Sequence, residues 1–406
     1  MTTKKEIFGW CMYDFANTIF SALFTTIYFP LIVILKGGTV FHIGLIVSIA
    51  MISAALFVPY LGAIADITKR KKPMLFIFTL LCCIATLFSG YFDLKTTLIF
   101  GFLAKFFFNA SLDIYDSILV DISNKRNISF ISGLGISIGY LGTIFGVLIA
   151  YTAGKFYGHE TLLGVQVVFV LIAIMFLGFS LFTFIFVKEP SGFIIKKDYI
   201  KTAFYNVTNT IKNIKKFRHT WLFLLASFFY SDAANTALGF LYLYATNQIG
   251  VELTKFLPIY ISMAITAAVG SLFFGKISDK FGHKRILTFI LIMWILIILV
   301  LYLKTTYTTF LIIGLVGGAL LGGLWALTRT LLVDLTPKNK QAELFGYQGL
   351  TEKISGVIGP VLFGYIALIL GFRQALWVII VLFLIGLIFL RFVKVNKYSY
   401  SKNGNL

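Results

Sequence analysis

The sequence predicts an all-α membrane protein in which twelve transmembrane helices form two parallel-repeat six-helix bundles. Three observations carry this prediction: the scarcity of charge, the length of the uncharged runs and an internal repeat. Hydrophobic residues make up 59% of the 406 residues, and charged residues make up only 13%. A soluble domain is closer to about half apolar and about a quarter charged, so charge is missing over most of this chain.

The uncharged runs have the length of membrane-spanning helices. Residues 74–91, 165–187 and 286–302 contain no charged side chain, and about 20 helical residues cross the roughly 30 Å of hydrocarbon in a bilayer. Backbone polar groups inside lipid must bond to one another, which leaves helices and closed barrels, and these runs lack the alternation of barrel strands. We place the spans at residues 10–35, 41–65, 73–92, 96–121, 129–154, 164–187, 220–246, 256–278, 286–304, 307–334, 344–370 and 374–392.

An internal repeat relates the two halves of the chain. Four motifs return in the same order, three of them 213 residues later and one 218 residues later. The pairs are Asp14-x-x-Asn17 with Asp232-x-x-Asn235, Gly62-x-x-x-Asp66 with Gly275-x-x-x-Asp279, residues 119–123 with 332–336, and Gly133 and Gly146 with Gly346 and Gly359. Because six helices separate the copies, both share one orientation in the membrane. The predicted organisation is a bundle at 1–187, a cytoplasmic linker at 188–218 and a second bundle at 219–406.

The net charge of +19 is a topology signal rather than a sign of nucleic-acid binding. Most lysines and arginines fall in segments that share one side of the membrane with the N-terminus. The opposite side holds only Lys36, Lys95, Lys155, Lys255, Lys304 and Arg373. Since cytoplasmic segments of membrane proteins are enriched in these residues, we expect both termini in the cytoplasm. The expected partners are the lipid bilayer and a small-molecule solute, with no nucleic acid, and we expect a monomer.

Ionisable groups at membrane depth are costly, so each is a candidate functional residue. The fourth span is the richest, since Lys105, Asn109, Asp113 and Asp116 are spaced four, four and three residues apart. This spacing puts all four side chains on one face of a helix. The face either lines a solute path or forms a structural network in which Lys105 pairs with Asp113.

The repeat also relates two opposite charges. Shifted by 213 residues, Asp116 falls on Arg329 in the tenth span. In a parallel-repeat transporter the first, fourth, seventh and tenth helices surround the path, and these helices carry Asp14, Asp116, Asp232 and Arg329. Asp116 and Arg329 could bind solute or act as a gate, or they could form a static ion pair between the halves, although desolvation offsets much of the attraction in such a pair.

Two smaller motifs have structural interpretations beside functional ones. Asp14 with Asn17, and Asp232 with Asn235, place a carboxylate and an amide one helical turn apart. Either unit could bind a cation or an ammonium group, or cap a broken helix. The paired glycine–aspartate loops predict a conformational latch, because glycine permits close helix contact and an aspartate can bond to a neighbouring helix N-terminus. The latch residues are Gly62, Asp66, Gly275, Asp279, Gly282 and Arg285.

The paired loops resemble the signature of the major facilitator superfamily. More narrowly, the chain resembles the vacuole-effluxer (autophagy-related 22-like) family. The matching stretches are residues 13–17, 115–121, 139–142, 323–329, 342–346 and 359–360. This resemblance implies a twelve-helix carrier, and it implies efflux of amino acids in the vacuolar member.

We therefore expect a transporter that moves a small polar solute, with an amino acid as the preferred class, by alternating access and with proton coupling as a further option. The alternative is a transporter-like membrane receptor or scaffold without transport. An enzyme is not expected, because the sequence shows no nucleophile beside a base, no cofactor motif and no metal cluster, and its three cysteines lie in predicted spans. We expect no cofactor. The expected location is a bacterial inner membrane, since no organelle-targeting signal is visible.

Overall fold

The computed structural model describes residues 3–68, 70–123, 128–188, 218–335, 351 and 355–395, and this part of the chain contains helices and no strands. The prediction of an all-α fold is confirmed. We number the long helices in chain order. They are α1 (Lys4–Leu35), α2 (Val40–Thr68), α3 (Lys71–Phe88), α4 (Leu94–Asp121), α5 (Ile128–Tyr157), α6 (Leu162–Phe186), α7 (Arg218–Gly239), α8 (Leu253–Phe281), α9 (His283–Leu303), α10 (Tyr307–Leu335), α11 (Ile358–Ile369) and α12 (Phe372–Phe392).

Within the described ranges, ten helices contain a stretch long and apolar enough to cross a membrane. The other two long helices are α7, which carries Arg218, His219 and Asp232, and α11, which has 12 residues. The predicted eleventh span begins at residue 344, but residues 336–350 and 352–354 lie outside the described part of the chain. The chain is an integral membrane protein.

The first helix of each half changes its winding partway along. In α1, residues Ser21–Tyr28 form a π-helical stretch, and Pro30 lies two residues after its end. Proline has no N–H to donate to the preceding turn, and a π-helical stretch is one way in which a helix absorbs such a defect. In the second half, α7 ends at Gly239 and continues as a short helix, Leu241–Tyr244, and a π-helical turn, Ala245–Ile249. Residues of both breaks line one cavity, Ser21 and Thr25 in the first and Gly239 and Phe240 in the second.

The repeat is visible as matching polar contacts where the third and fourth helices of each half meet. Lys71 Nζ lies 2.8 Å from Asp121 Oδ2 in the first half. His283 Nδ1 lies 2.6 Å from Asp334 Oδ2 in the second. The residue after each of these cations also acts alike. Lys72 donates to the Val187 carbonyl after α6, and Lys284 donates to the Val393 carbonyl after α12. These contacts hold the same helix ends together in both halves.

The structure describes the latch residues only in part. Among the described residues, no atom lies within 4 Å of a Cβ atom added to Gly275. Gly282 has φ +93° at the junction of α8 and α9, a conformation that favours glycine. Arg285 is exposed on the first turn of α9. Gly62 and Asp66 fall in the last turns of α2, and the side chains of Asp66 and Asp279 lie outside what the structure describes, so the latch stays a prediction.

The two halves contact each other through α2 with α11 and through α5 with α8. The α2–α11 contact is close. A side chain at Gly44 would collide with the carbonyl of Pro360, and Ser48 Oγ donates to the Val357 carbonyl at 2.6 Å. Glycine and serine at a helix interface permit this approach and supply a hydrogen bond within the membrane.

Glu160 ties the halves together on the side opposite the chain termini. It lies in the short connection between α5 and α6, and its Oε1 atom accepts from the Tyr242 hydroxyl at 3.0 Å and from the Leu253 N–H at 2.8 Å. Leu253 is the first residue of α8, where the N–H groups of a helix N-terminus favour a negative charge. A carboxylate of the first half therefore caps a helix of the second half.

Replacing Glu160 by alanine should loosen this side of the molecule. Each lost hydrogen bond to a charged group at the exposed edge contributes on the order of 1 kcal/mol, which predicts a several-fold shift toward separated halves. Distances between spin labels at Phe156→Cys and Lys255→Cys, measured by double electron–electron resonance in a background without native cysteines, should lengthen. The neighbouring Glu252→Ala variant is the control and should keep the original distances; an equal shift in both variants contradicts the role of Glu160.

Candidate functional site

A cavity of about 360 Å³ lies between the two halves at the level of the helix breaks. Both halves contribute polar and apolar side chains to its wall. The first half contributes Ser21, Thr25, Thr26, Ile43, Val47, Met51, Lys105, Phe108, Asn109, Leu112 and Asp116. The second half contributes Asn235, Thr236, Leu238, Gly239, Phe240, Trp325, Arg329, Ser355, Gly356 and Pro360.

The polar face of α4 reaches this cavity through three of its four predicted members. Lys105, Asn109 and Asp116 line the wall, and Asp113 is not among the lining residues. The amide of Asn109 donates to the Lys105 carbonyl at 2.9 Å and contacts Met51 Sδ at 3.4 Å. These contacts hold the Asn109 amide at the wall.

The ammonium group of Lys105 lies near the middle of α4. Its Nζ atom is 3.4 Å from Thr25 Oγ1, which belongs to the π-helical stretch of α1. The same atom lies 5.4 Å from the centre of the Phe108 ring, within the range of a cation–π contact. A long hydrogen bond and an aromatic face are weak partners for a cation at this depth.

Arg329 and Trp325 of α10, in the second half of the chain, also line the cavity. The repeat relates Arg329 to Asp116, and the structure brings both side chains to the same cavity. A cation and a carboxylate from different halves can thus contact one bound molecule, and any movement of the halves changes the spacing of the two charges.

Asp14 and Asn17 lie beside the cavity rather than on its wall. Asn17 is buried, with 7% of its surface exposed, and its amide donates to Asp14 Oδ1 at 3.1 Å. The other carboxylate oxygen of Asp14 faces Gly135 of α5, where a side chain would collide with it. The unit thus lies at the packed contact between α1 and α5.

Asp232 holds the start of α11. It is fully buried, and its two carboxylate oxygens accept the N–H groups of Gly356 and Gly359, each at 2.9 Å. A Cβ atom at Gly359 would collide with Thr236 Oγ1, so a larger residue does not fit there. Of the alternatives that the sequence left open for this unit, these bonds match the helix cap. Asn235 lines the cavity and contacts Ser355 Oγ at 3.4 Å.

Several lining residues were not found from the sequence. The wall includes Met51 from α2 and Ser355 beside α11, whereas the sequence predicted path-lining residues only on the first, fourth, seventh and tenth helices. Pro30 and Pro360 were available signals of broken helices, because a proline inside an apolar span disturbs its hydrogen bonding. No sequence pattern indicated that Glu160 would connect the two halves. In the described part of the chain, no group of three or more histidine, cysteine, aspartate or glutamate residues could hold a metal ion.

The fold and the cavity between its halves define a membrane transporter of the major facilitator type. A bacterial homologue of the human lysosomal transporter Spinster, solved in an inward-facing and unoccupied conformation, superposes with a TM-score of 0.74 at 15% identity, covering 96% of this chain and 97% of that one. The nucleoside transporter NupG superposes with a TM-score of 0.70 at 12% identity, covering 96% and 98% of the two chains. At such identities the likeness concerns the fold.

The family model described as "Vacuole effluxer Atg22 like" matches residues 117–402, and the chain belongs to this family. An uncharacterized MFS-type transporter, YxiO of Bacillus subtilis, is 27% identical over 96% of this chain and 95% of its own length. The multi-drug resistance efflux pump PmrA of Streptococcus pneumoniae is 28% identical, covering 79% and 78%. Autophagy-related protein 22 of Coccidioides immitis is 23% identical, and the match covers 62% of this chain and 46% of that protein.

The cap on α11 predicts that Asp232→Asn destabilises the fold. An amide offers one acceptor oxygen where the carboxylate offers two, so one buried N–H loses its partner at a cost of about 1–3 kcal/mol. Thermal unfolding in detergent should show a lower midpoint. The matched substitution Glu252→Gln, at an exposed carboxylate that makes no side-chain cap bond to α8, should leave the midpoint nearly unchanged. Equal midpoints for both variants and the parent protein would argue against the cap.

Proposed function

We propose that the protein carries a small polar solute across the membrane by alternating access, with the cavity as the binding site. The observation that carries the proposal is the wall of this cavity, to which both halves contribute charged side chains at membrane depth. Charges are costly there, and they are typical of substrate and ion pathways. Contacts between the halves on the side opposite the termini, including Glu160, would close the cavity toward that side while it opens toward the other.

An amino acid is the preferred solute class. Arg329 offers a guanidinium group that can bind a carboxylate in a bidentate way, and Asp116 of the other half can accept from an ammonium group. Such an arrangement matches the opposite charges of an amino acid. The family name and the efflux pumps among the relatives are consistent with transport of small solutes, and proton coupling through Asp14, Asp113, Asp116 or Asp232 belongs to the same proposal.

We further propose that both termini are cytoplasmic and that the protein resides in a bacterial inner membrane. The distribution of lysine and arginine supports the orientation. The relatives from Bacillus subtilis and Aquifex aeolicus, which cover most of this chain, support the location. With this orientation the Glu160 contact lies on the outer side.

The proposal predicts that Arg329→Ala and Asp116→Asn each abolish solute movement without unfolding the protein. Each substitution removes the charged contact that the side chain would make with the solute, and a hydrogen bond to a charged group contributes about 1.5–3 kcal/mol. Counterflow of labelled amino acids in proteoliposomes measures the effect. Thr330→Ala changes the next residue of α10, which is exposed and bonds to its own helix, and should keep the parent rate.

Two outcomes would count against this function. If both Arg329→Ala and Asp116→Asn exchanged solute at the parent rate, the cavity charges would have no part in transport. Reconstituted protein that binds amino acids but never moves them would favour the alternative of a receptor or scaffold.

A further inference from the structure

We propose that the transported solute carries a net charge of −1 and that Lys105 binds its anionic group. This inference rests on the proposed function, since it takes the cavity to be the solute site. It narrows the solute from a zwitterion to a small organic anion, such as an acidic amino acid or a hydroxy acid.

The ammonium group of Lys105 has only weak partners. In the part of the chain that the structure describes, its ammonium group contacts the Thr25 hydroxyl at 3.4 Å and the Phe108 ring at 5.4 Å. Neither partner is anionic. Described lysines elsewhere have stronger partners: Lys71 pairs with Asp121 at 2.8 Å, and Lys36 donates to the Gly90 carbonyl and to Thr97 Oγ1, each at 2.8 Å. Lys105 thus faces the cavity as a cation without a carboxylate contact.

The described charges around the cavity leave Lys105 without a carboxylate partner. Among the described lining residues, the ionisable side chains are Lys105, Asp116 and Arg329, two cations and one carboxylate. The described carboxylates near the cavity do not contact Lys105: Asp14 accepts from Asn17 and interacts electrostatically with Arg329, and Asp232 accepts from the backbone at α11. The positive charge of Lys105 therefore has no described carboxylate to balance it, whichever group balances Asp116.

The positive charge of Lys105 is costly at this depth. An uncompensated ammonium group is unfavourable at membrane depth, and a solute anion would offset this cost when it binds. A site built around a buried charged group discriminates against a neutral analogue, because the analogue leaves the group unpaired. Lys105 would thus select for charge, whereas Asn109 and Asn235 could bond to either form of a solute.

The apolar part of the wall favours an organic anion over an inorganic one. Met51, Phe108, Leu112, Trp325 and Phe240 line the same cavity. Pockets for small organic molecules combine apolar walls with a few convergent polar groups, and their volumes start at about 300 Å³. The volume here, about 360 Å³, suits a solute with a carbon skeleton.

The test compares acids with their neutral amides. Purified protein is given glutamate or glutamine, aspartate or asparagine, and lactate or lactamide, and binding is read from thermal stabilisation in detergent. The acids should bind at least about tenfold more tightly than the amides, the factor that corresponds to one charged hydrogen bond. Lys105→Met should remove this preference, and Lys105→Arg should keep it. Lys155→Met is the control, since Lys155 also lies over an aromatic ring, Tyr151 at 5.0 Å, but outside the cavity.

The outcomes separate this inference from the proposed function. Amides that bind as tightly as the acids, no binding by any of the acids, or an acid preference that survives in Lys105→Met would each overturn the charge assignment. Counterflow in proteoliposomes then tests transport itself. Acids that bind in a Lys105-dependent way but never exchange would support the charge assignment and refute the transport function, whereas exchange of amides alone would do the reverse.

Discussion

The absence of hydrogen-bonding partners in hydrocarbon is the constraint on which the rest of this structure depends. It makes each span helical, because only a helix satisfies its own backbone within one segment. It also explains the treatment of the helix breaks. Where α11 begins inside the bundle, the N–H groups of Gly356 and Gly359 are satisfied by Asp232, a buried carboxylate on α7. The break in one helix is thus stabilised by a charge on its neighbour.

The duplicated halves share their scaffold and differ at the cavity. Contacts at the helix ends recur, with Lys71–Asp121 in one half and His283–Asp334 in the other. At the cavity the equivalent positions Asp116 and Arg329 carry opposite charges. The asymmetry concerns the residues that face solute, whereas the symmetry concerns residues that hold helices together. Duplication therefore accounts for the fold, and divergence at a few positions accounts for a site that a symmetric pair of halves could not form.

Much of this could be predicted from the sequence, because hydropathy and repeat spacing are local properties. The helices follow from the uncharged runs, and the spacing of Lys105, Asn109 and Asp116 placed them on one face that the cavity uses. Thr25 and Ser355 could not be found in this way, since their positions depend on the π-helical stretch of α1 and on the start of α11. The role of Glu160 could not be predicted either, because its partners belong to the other half of the molecule. At Gly275 a local motif suggested helix contact, but among the described residues no atom lies within 4 Å of an added Cβ atom.

Depth in the membrane is therefore a poor guide to function unless the partners of a charged group are known. Asp232 is fully buried, yet both of its oxygens accept backbone N–H groups, and its charge already has a structural use. Lys105 is more accessible, yet its contacts are a long hydrogen bond and an aromatic ring. A buried charge that the fold already satisfies has little to gain from a ligand, whereas a poorly satisfied one gains a good deal. By this criterion the site lies at Lys105 and the charges that face it.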